Sequence, residues 1–367
     1  MAVKDPTSPL APTCWLAGLL IFGSGLGWLA SGQQQQKRRP DPDQGEVIEL
    51  RSDLVSFTVS VLGGTGQALM NLKPEDFIVF ENGERQKITH FATVDAPVDI
   101  VLAIDTSGSM QGDHEIVRKA ATSFIERMRP QDRIAIVEFG RDVNLSLDWT
   151  KEPRKARDVI KAINSKKPTA TAFYDSLYVI SDELLRTVQG RKAVILLSDG
   201  VDSLSYYEYQ PAASLLERSG AAVYFVEIDT EEFTVRGLRR GDFTLSPQQL
   251  ERYRRTFRPD DLPIRYRDPG FFFDDELERI ARGLYKIAQN ELRQLADRTG
   301  GRVFPLKRLE DLNDIYAKIA AELGTLYSIG YYPSNSKHDG QWRPIRVEVN
   351  VSGAQVLARS GYWAPKK

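Results

Sequence analysis

Asp99-Ile100-Val101-Leu102-Ala103-Ile104-Asp105-Thr106-Ser107-Gly108-Ser109 joins an apolar run to a loop of hydroxyls and one carboxylate. Five of the first six residues are apolar without alternation, which predicts a strand buried on both faces, as in a parallel sheet. At its carboxyl end Asp105, Ser107 and Ser109 occupy alternate positions around Gly108. Their oxygens are hard donors and suit Mg²⁺ or Mn²⁺ better than zinc. An ordinary polar loop accounts for the same cluster, so a metal reading needs further ligands from elsewhere in the chain.

From Asp99 to about Gly324, apolar strands alternate with amphipathic helices. This pattern predicts an α/β fold: a doubly wound, mostly parallel six-stranded sheet with helices on both faces. After the first strand, Ile116, Val117, Ala120, Phe124 and Met128 recur at helical spacing. Arg133–Phe139 and Val143–Trp149 are separated by only a few residues, so they must pair as an antiparallel hairpin at one edge. Helices are expected near Pro153–Asn164 and Phe173–Val188. Lys192–Ser198 and Ala221–Ile228 read as buried strands, and Arg302–Pro305 as a short strand between two helices.

The flanks read as antiparallel β structure. Val55–Val61, Phe77–Glu81 and Ile88–Ala92 surround an Asn82-Gly83 turn, and Leu326–Tyr332, Ile345–Val351 and Val356–Trp363 follow at the other end. Neither flank is long enough for its own core, which predicts that residues 47–96 and 326–367 combine into one β-sandwich of six or seven strands around a domain at residues 97–325.

Lys and Arg number 49 against 50 Asp and Glu in 367 residues, a balance that gives no general attraction to nucleic acid or to an anionic membrane. Trp15–Ala30 is apolar, carries no charge and ends in Ala30-Ser31-Gly32. Residues 1–32 therefore read as an export signal, or as an N-terminal anchor if uncleaved, and predict a periplasmic or secreted protein whose membrane contact is that segment alone. Residues 33–46 read as a flexible linker. Cys14, the one cysteine, lies before the apolar run, so no disulfide, thiolate nucleophile or cysteine metal site is expected in the exported part.

In doubly wound sheets ligands gather at strand carboxyl ends where the winding reverses. Lys192–Ser198 ends in Asp199-Gly200, a second carboxylate on that face, and a hydroxyl-bearing loop at Thr169–Thr171 opens into a helix between the two strands. Here the sequence resembles the von Willebrand factor A domain with its metal-ion-dependent adhesion site. The residues that carry the resemblance are Asp105-x-Ser107-x-Ser109, Thr171-Ala172-Phe173-Tyr174-Asp175-Ser176-Leu177, and Leu197-Ser198-Asp199-Gly200. Where relatives often have Gly-Gly before the threonine, this chain has Thr169-Ala170. The flanking Leu72–Phe77, Glu81-Asn82-Gly83, Tyr331-Tyr332-Pro333 and Gly361-Tyr362 are similar to a bacterial exported group related to this domain. The resemblance implies that Ser107, Ser109 and Thr171 hold Mg²⁺ or Mn²⁺ through hydroxyls, with Asp105 and Asp199 direct or through water. It also implies an open position for an Asp or Glu of a partner protein, and a last helix running away from the metal face, so that the sandwich is expected opposite the site.

No catalytic residue is assigned. Two-metal hydrolases crowd more carboxylates and histidines around their ions, whereas His90, His114 and His338 are scattered and no G-x-S-x-G elbow is present. An insertion at about residues 230–273 leaves from the ion's face and is rich in arginine and aromatics. Arg239, Arg240, Arg254, Arg255, Tyr266 and Phe272 are its candidates for partner binding, and Asp242 is placed to reach the ion. The first reading is an exported, non-enzymatic, metal-dependent protein-binding module. The second is a metal-free scaffold acting through the insertion or the sandwich.

Overall fold

In the computed structural model, described for residues 54–65, 67–93, 96–108, 114–163, 170–257 and 274–366, the Asp99 run forms strand β5 (Val98–Asp105), buried along its whole length. It lies inside a six-stranded sheet of order β10 (Arg302–Leu306), β9 (Ala222–Ile228), β8 (Arg191–Ser198), β5, β6 (Arg133–Phe139), β7 (Val143–Thr150). All neighbours are parallel except β6 and β7, the expected edge hairpin. The sheet has no polar alternation in its centre because both faces are covered. Ile100, Leu102 and Ile104 pack with Phe124 and Tyr316 of helices α1 (His114–Arg127) and α8 (Leu312–Gly324). Val101 and Ala103 face Leu177, Leu216 and Leu295 of α3 (Phe173–Val179), α4 (Tyr209–Ser219) and α7 (Asp274–Thr299).

From β5 the chain winds first to β6 on one side, then returns through α2 (Pro153–Ala162) and α3 to β8 on the other. The β5/β8 boundary is therefore the topological switch point, and Asp105 and Asp199 both stand at its carboxyl end. One expected helix is interrupted. Residues predicted as a single helix to Val188 form α3 followed by a π-helical stretch at Ile180–Leu185. Ser181 donates to the Leu177 carbonyl at 2.6 Å, a side-chain bond that competes with the regular ladder at this position.

The flanks interleave into two four-stranded antiparallel sheets, so the sandwich has eight strands where six or seven were expected. One sheet runs β13 (Gln355–Ala358), β1 (Val55–Leu62), β11 (Tyr327–Tyr331), β4 (Ile88–Ala92); the other runs β14 (Gly361–Trp363), β12 (Trp342–Val349), β2 (Phe77–Glu81), β3 (Glu84–Gln86). One extra strand comes from the Asn82-Gly83 turn, whose φ values of 51° and 83° suit a tight hairpin and return the chain as β3. The other arises because Val356–Trp363 splits between the sheets. Arg359, buried at the break, donates to the carbonyls of Gly361 at 2.7 Å and Glu217 at 3.0 Å. Phe57, Val59, Phe77, Val79, Tyr327, Ile329 and Ile345 fill the space between the sheets. Each flank thus supplies half of a core that neither could enclose alone.

The sandwich joins the amino-terminal end of the parallel sheet, as expected. Arg191, at the start of β8 and 2 % exposed, donates to the carbonyls of Ala96 and Leu323 (the latter at 2.6 Å), the two points where the chain enters and leaves the α/β domain. Nearby, Gly301 lies so close to β9 that an added Cβ would sit 1.9 Å from the Val223 carbonyl oxygen. Backbone cannot yield as a side-chain tip can. Gly301→Ala is expected to lower unfolding free energy by about 3 kcal/mol, read as a shift of the urea midpoint at unchanged slope.

Candidate metal centre

The site is built at strand ends from short local bonds. Thr106 donates both its backbone N–H (2.7 Å) and its hydroxyl (3.1 Å) to the Phe139 carbonyl, pinning the loop after β5 to β6. The chain then turns so that the Ser107 N–H donates to Asp105 Oδ1 at 2.9 Å, while Ser198 Oγ donates to Asp105 Oδ2 at 2.6 Å. Asp105 and Ser107 are both buried. Ser109 lies outside the described residues.

Thr171 is fixed by the loop that follows Asp199. The Thr171 carbonyl accepts from Ser203 N at 2.9 Å and Leu204 N at 3.1 Å, and its own N–H donates to Ser203 Oγ at 2.8 Å. Asp202 Oδ1 accepts from Phe173 N at 2.9 Å and from the Ser205 hydroxyl, and Ser205 Oγ accepts from Tyr174 N at 3.0 Å and Asp175 N at 3.1 Å. In return the Asp175 carboxylate accepts from Tyr206 N at 3.0 Å and Tyr207 N at 2.9 Å. The first turn of α3 is therefore capped from a loop distant in sequence, and Thr171 stands where that loop holds it. Sequence reasoning missed Asp202, Ser203 and Ser205, whose only local signal is the Asp-Ser-x-Ser run just past Asp199-Gly200.

Asp199 Oδ1 accepts from Val201 N at 2.9 Å; Oδ2 accepts from the Thr230 hydroxyl and from Tyr285 at 3.4 Å. Ser107, Gly108, Thr171 and Asp199 line one cavity of about 380 Å³, with Thr234, Leu238, Gln249 and Tyr285 across from them. Three segments far apart in sequence thus converge, and the donors they bring are carboxylate and hydroxyl oxygens that fit a hard divalent cation. Among the described residues, no three His, Cys, Asp or Glu side chains gather to hold a metal, so at this cavity hydroxyls must supply what carboxylates do not.

The insertion forms the outer wall of the cavity. Its helices α5 (Glu231–Arg240) and α6 (Pro247–Phe257) pack Val235, Leu238, Leu250 and Tyr253 on Ile280, Leu284 and Ile287 of α7. Arg252 donates to Glu291 at 2.7 Å and lies 4.3 Å over the Tyr174 ring, tying this wall to α3. Arg239 pairs with Glu278, and Arg254 and Arg255 both pair with Glu251. Arg240 is exposed at the end of α5, and Tyr266 and Phe272 lie outside the described residues.

Burial, and then the charge of Asp199, push the Asp105 carboxyl up to about 7, against the hydrogen bonds of Ser198 and Ser107. Because the native protein then holds that proton more tightly than the unfolded chain does, stability of the cation-free protein falls as pH rises from the ordinary value of 3.8 through about 7 and is level above. Asp105→Asn removes the buried charge and keeps an acceptor for Ser107. At pH 8 and without divalent cations it is expected to be about 1–3 kcal/mol more stable than the parent, with a flatter pH profile in chemical denaturation.

The von Willebrand factor type A domain family matches residues 99–240. No curated protein matches the chain. Among solved structures it is similar to proximal thread matrix protein 1 from the mussel byssus, at 12% identity over 72% of this chain and 50% of that one, with a TM-score of 0.42. It is similar to von Willebrand factor type A from Catenulispora acidiphila at 12% identity, covering 86% of this chain and 74% of that one with a TM-score of 0.41. BatB from Bacteroides thetaiotaomicron is similar at 14% identity, over 61% of this chain and 97% of that one, with a TM-score of 0.37. The chain spans about half the length of the mussel protein, one structure of which has a zinc-occupied MIDAS motif. Residues 99–240 match the von Willebrand factor type A domain family, and the sheet order and the switch-point cavity of this part of the chain agree with that match.

Proposed function

We propose that the protein is an exported, metal-dependent binding module in which Mg²⁺ or Mn²⁺, held by Asp105, Ser107, Ser109, Thr171 and Asp199, bridges to an Asp or Glu of a partner protein. The observation that carries this reading is the convergence of Ser107, Thr171 and Asp199 on one cavity at the switch point of the sheet. The von Willebrand factor type A domain is generally a binding module without catalysis, which agrees with a site poor in groups that could activate water.

The cation supplies a positive charge with a coordination position open to an external carboxylate. The chain's own residues prepare that position. Ser198 and the Ser107 N–H orient Asp105, Val201 N–H and Thr230 orient Asp199, and the Asp202–Ser205 cap sets Thr171. Ser107 and Thr171 would bring hydroxyl oxygens to a bound cation, and such donors would leave more of its charge for an acidic side chain of a partner than carboxylates would. On the wall helices, Arg239, Arg240, Arg254 and Arg255 are exposed and carry charge that would favour an acidic partner surface; Tyr266 and Phe272, which lie outside the described residues, are proposed as further contacts from the insertion's sequence alone. The apolar stretch Trp15–Ala30, which lies outside the described residues, supports export to the periplasm or beyond.

Calorimetric titration with MgCl₂ or MnCl₂ is expected to show one site, and Asp105→Ala to weaken it at least about tenfold. Capture of partners from an extracytoplasmic fraction should disappear in EDTA and in Asp105→Ala. Capture that persists in both, with no cation bound to the parent protein, would replace this reading with the metal-free scaffold.

A further inference from the structure

A second cavity, of about 390 Å³, lies at the other end of the molecule, between the start of β8 and the sandwich. Its size falls in the range of small-molecule sites. Among the described residues that line it, five side chains are cationic (Lys192, Arg218, Lys337, Arg343 and Arg359) and none is acidic. The excess is local, since the chain as a whole carries a formal net charge of −1. The connection from β11 to β12 forms the sandwich side and is clamped by two buried side chains. Gln86 Nε2 donates to Ser334 Oγ and Ser334 N to Gln86 Oε1, both at 3.0 Å. Arg343 donates to the carbonyls of Asn335 and Lys337.

Two of the five cations are answered by the protein itself. Arg359 donates to the carbonyls of Gly361 and Glu217. Arg343 lies 3.5 Å from Glu81, whose carboxylate also accepts from Tyr331 at 2.7 Å and Tyr362 at 2.9 Å, but Arg343 Nε is buried without a hydrogen-bond partner. The other three lack a carboxylate. Among the described residues Arg218 and Lys337 form no ion pair, and half-buried Lys192 donates only to the Val188 carbonyl, at 3.0 Å. Asp99, the acid whose charge reaches Lys192, is engaged by two bonds from Arg133, at 2.7 and 2.6 Å. Burial lowers the Lys192 ammonium below its ordinary pKa by more than Asp99 raises it. Like charges gathered in a half-enclosed space repel, and an anion placed among them turns that repulsion into attraction.

We propose that this cavity is a binding site for a small phosphate ester, with its phosphate among Lys192, Arg218 and Lys337 and its organic part against Tyr362 and Trp363. Lysines act as point charges toward phosphate oxygens, and an arginine adds directed N–H bonds. Ser336, in the same lining, offers a hydroxyl donor. A phosphate presents three strong acceptor oxygens in different directions, which suits donors arriving from both sides of the junction better than a planar carboxylate does. Tyr362 and Trp363 supply flat apolar surface beside the charged groups. Lys192 and Arg218 belong to the α/β domain and Lys337, Tyr362 and Trp363 to the sandwich, so one ligand touches both. The site is separate from the cation cavity and does not rest on the metal-dependent reading.

The test is titration calorimetry of the full chain at low ionic strength, with phenyl phosphate and inorganic phosphate as probes and EDTA present so that no divalent cation carries the phosphate. Both probes are expected to bind at one site, phenyl phosphate about three- to tenfold more tightly. Lys192→Gln and Lys337→Gln should each weaken phenyl phosphate by about fivefold or more. Lys119→Gln, on α1 and paired with Glu115 away from the cavity, should leave it unchanged. Lys337 is exposed and Arg343 holds its backbone carbonyl, so that substitution keeps the loop in place. Saturating phenyl phosphate should raise the melting midpoint of the parent and leave that of the Lys192→Gln, Lys337→Gln double variant where it was. No saturable binding of either probe to the parent, or binding that both substitutions leave intact, overturns the proposal. Benzoate bound as tightly as phenyl phosphate overturns the assignment to phosphate.

Discussion

Two buried carboxylates facing each other at the carboxyl ends of β5 and β8 are the constraint on which this molecule turns. Asp105 is fully enclosed and Asp199 nearly so, and the charge of the second raises the proton affinity of the first. A fold optimised for stability alone would not place them there. The surrounding structure can be read as a set of devices that hold the pair in place. β5 and β8 are buried along nearly their whole lengths and pair with each other in parallel from Val98/Arg191 to Ile104/Leu197, which anchors both strand ends. Ser198 serves both sides: its hydroxyl donates to Asp105 and accepts from the Gly200 N–H at 2.9 Å, so one side chain sets the geometry of two loops.

The third loop is positioned by a different means. Thr171 precedes a helix whose first turn has no local cap, since Ala172 at the N-cap position has no side-chain oxygen. Asp202 and Ser205 supply the missing acceptors from the segment after β8, and Asp175 returns the favour to Tyr206 and Tyr207. The two segments order each other. Neither could hold its conformation without its partner, which makes the site cooperative with the fold and costly to disturb piecemeal.

This division explains what was legible beforehand. The strands, the switch point, the edge hairpin and the loops bearing Asp105, Thr171 and Asp199 rest on local patterns: unbroken apolar runs, helical spacing and turn residues. The Asp202–Ser205 cap was hidden because its partners lie some thirty residues away, with separations of 28 to 31. The π-helical stretch at Ile180–Leu185 was hidden because a serine's back-bond to the preceding turn leaves helical periodicity almost unchanged. The split of the last strand depended on burying Arg359 against the Glu217 carbonyl, a tertiary contact with no signature in a stretch that otherwise alternates. Likewise the insertion's composition announced arginines and aromatics, but only the packing of α5 and α6 on α7 shows that it walls the cavity.

Burial also fixes the junction between the α/β domain and the sandwich. Helix α8 enters β11 after a single turn, with Thr325 N donating to the Glu322 carbonyl at 2.9 Å, so no slack separates the α/β domain from the sandwich. Arg191 bonds to the carbonyls of Ala96 and Leu323 at both crossings, and Arg359 bridges the sandwich to Glu217 at the end of α4. A hydrogen bond from a buried guanidinium to a carbonyl is worth about 1.5–3 kcal/mol, so each of these bonds resists opening of the junction. A hinge at this junction is therefore disfavoured. The α/β domain and the sandwich are thus joined by buried guanidinium bonds at both chain crossings and at α4, not by the polypeptide alone.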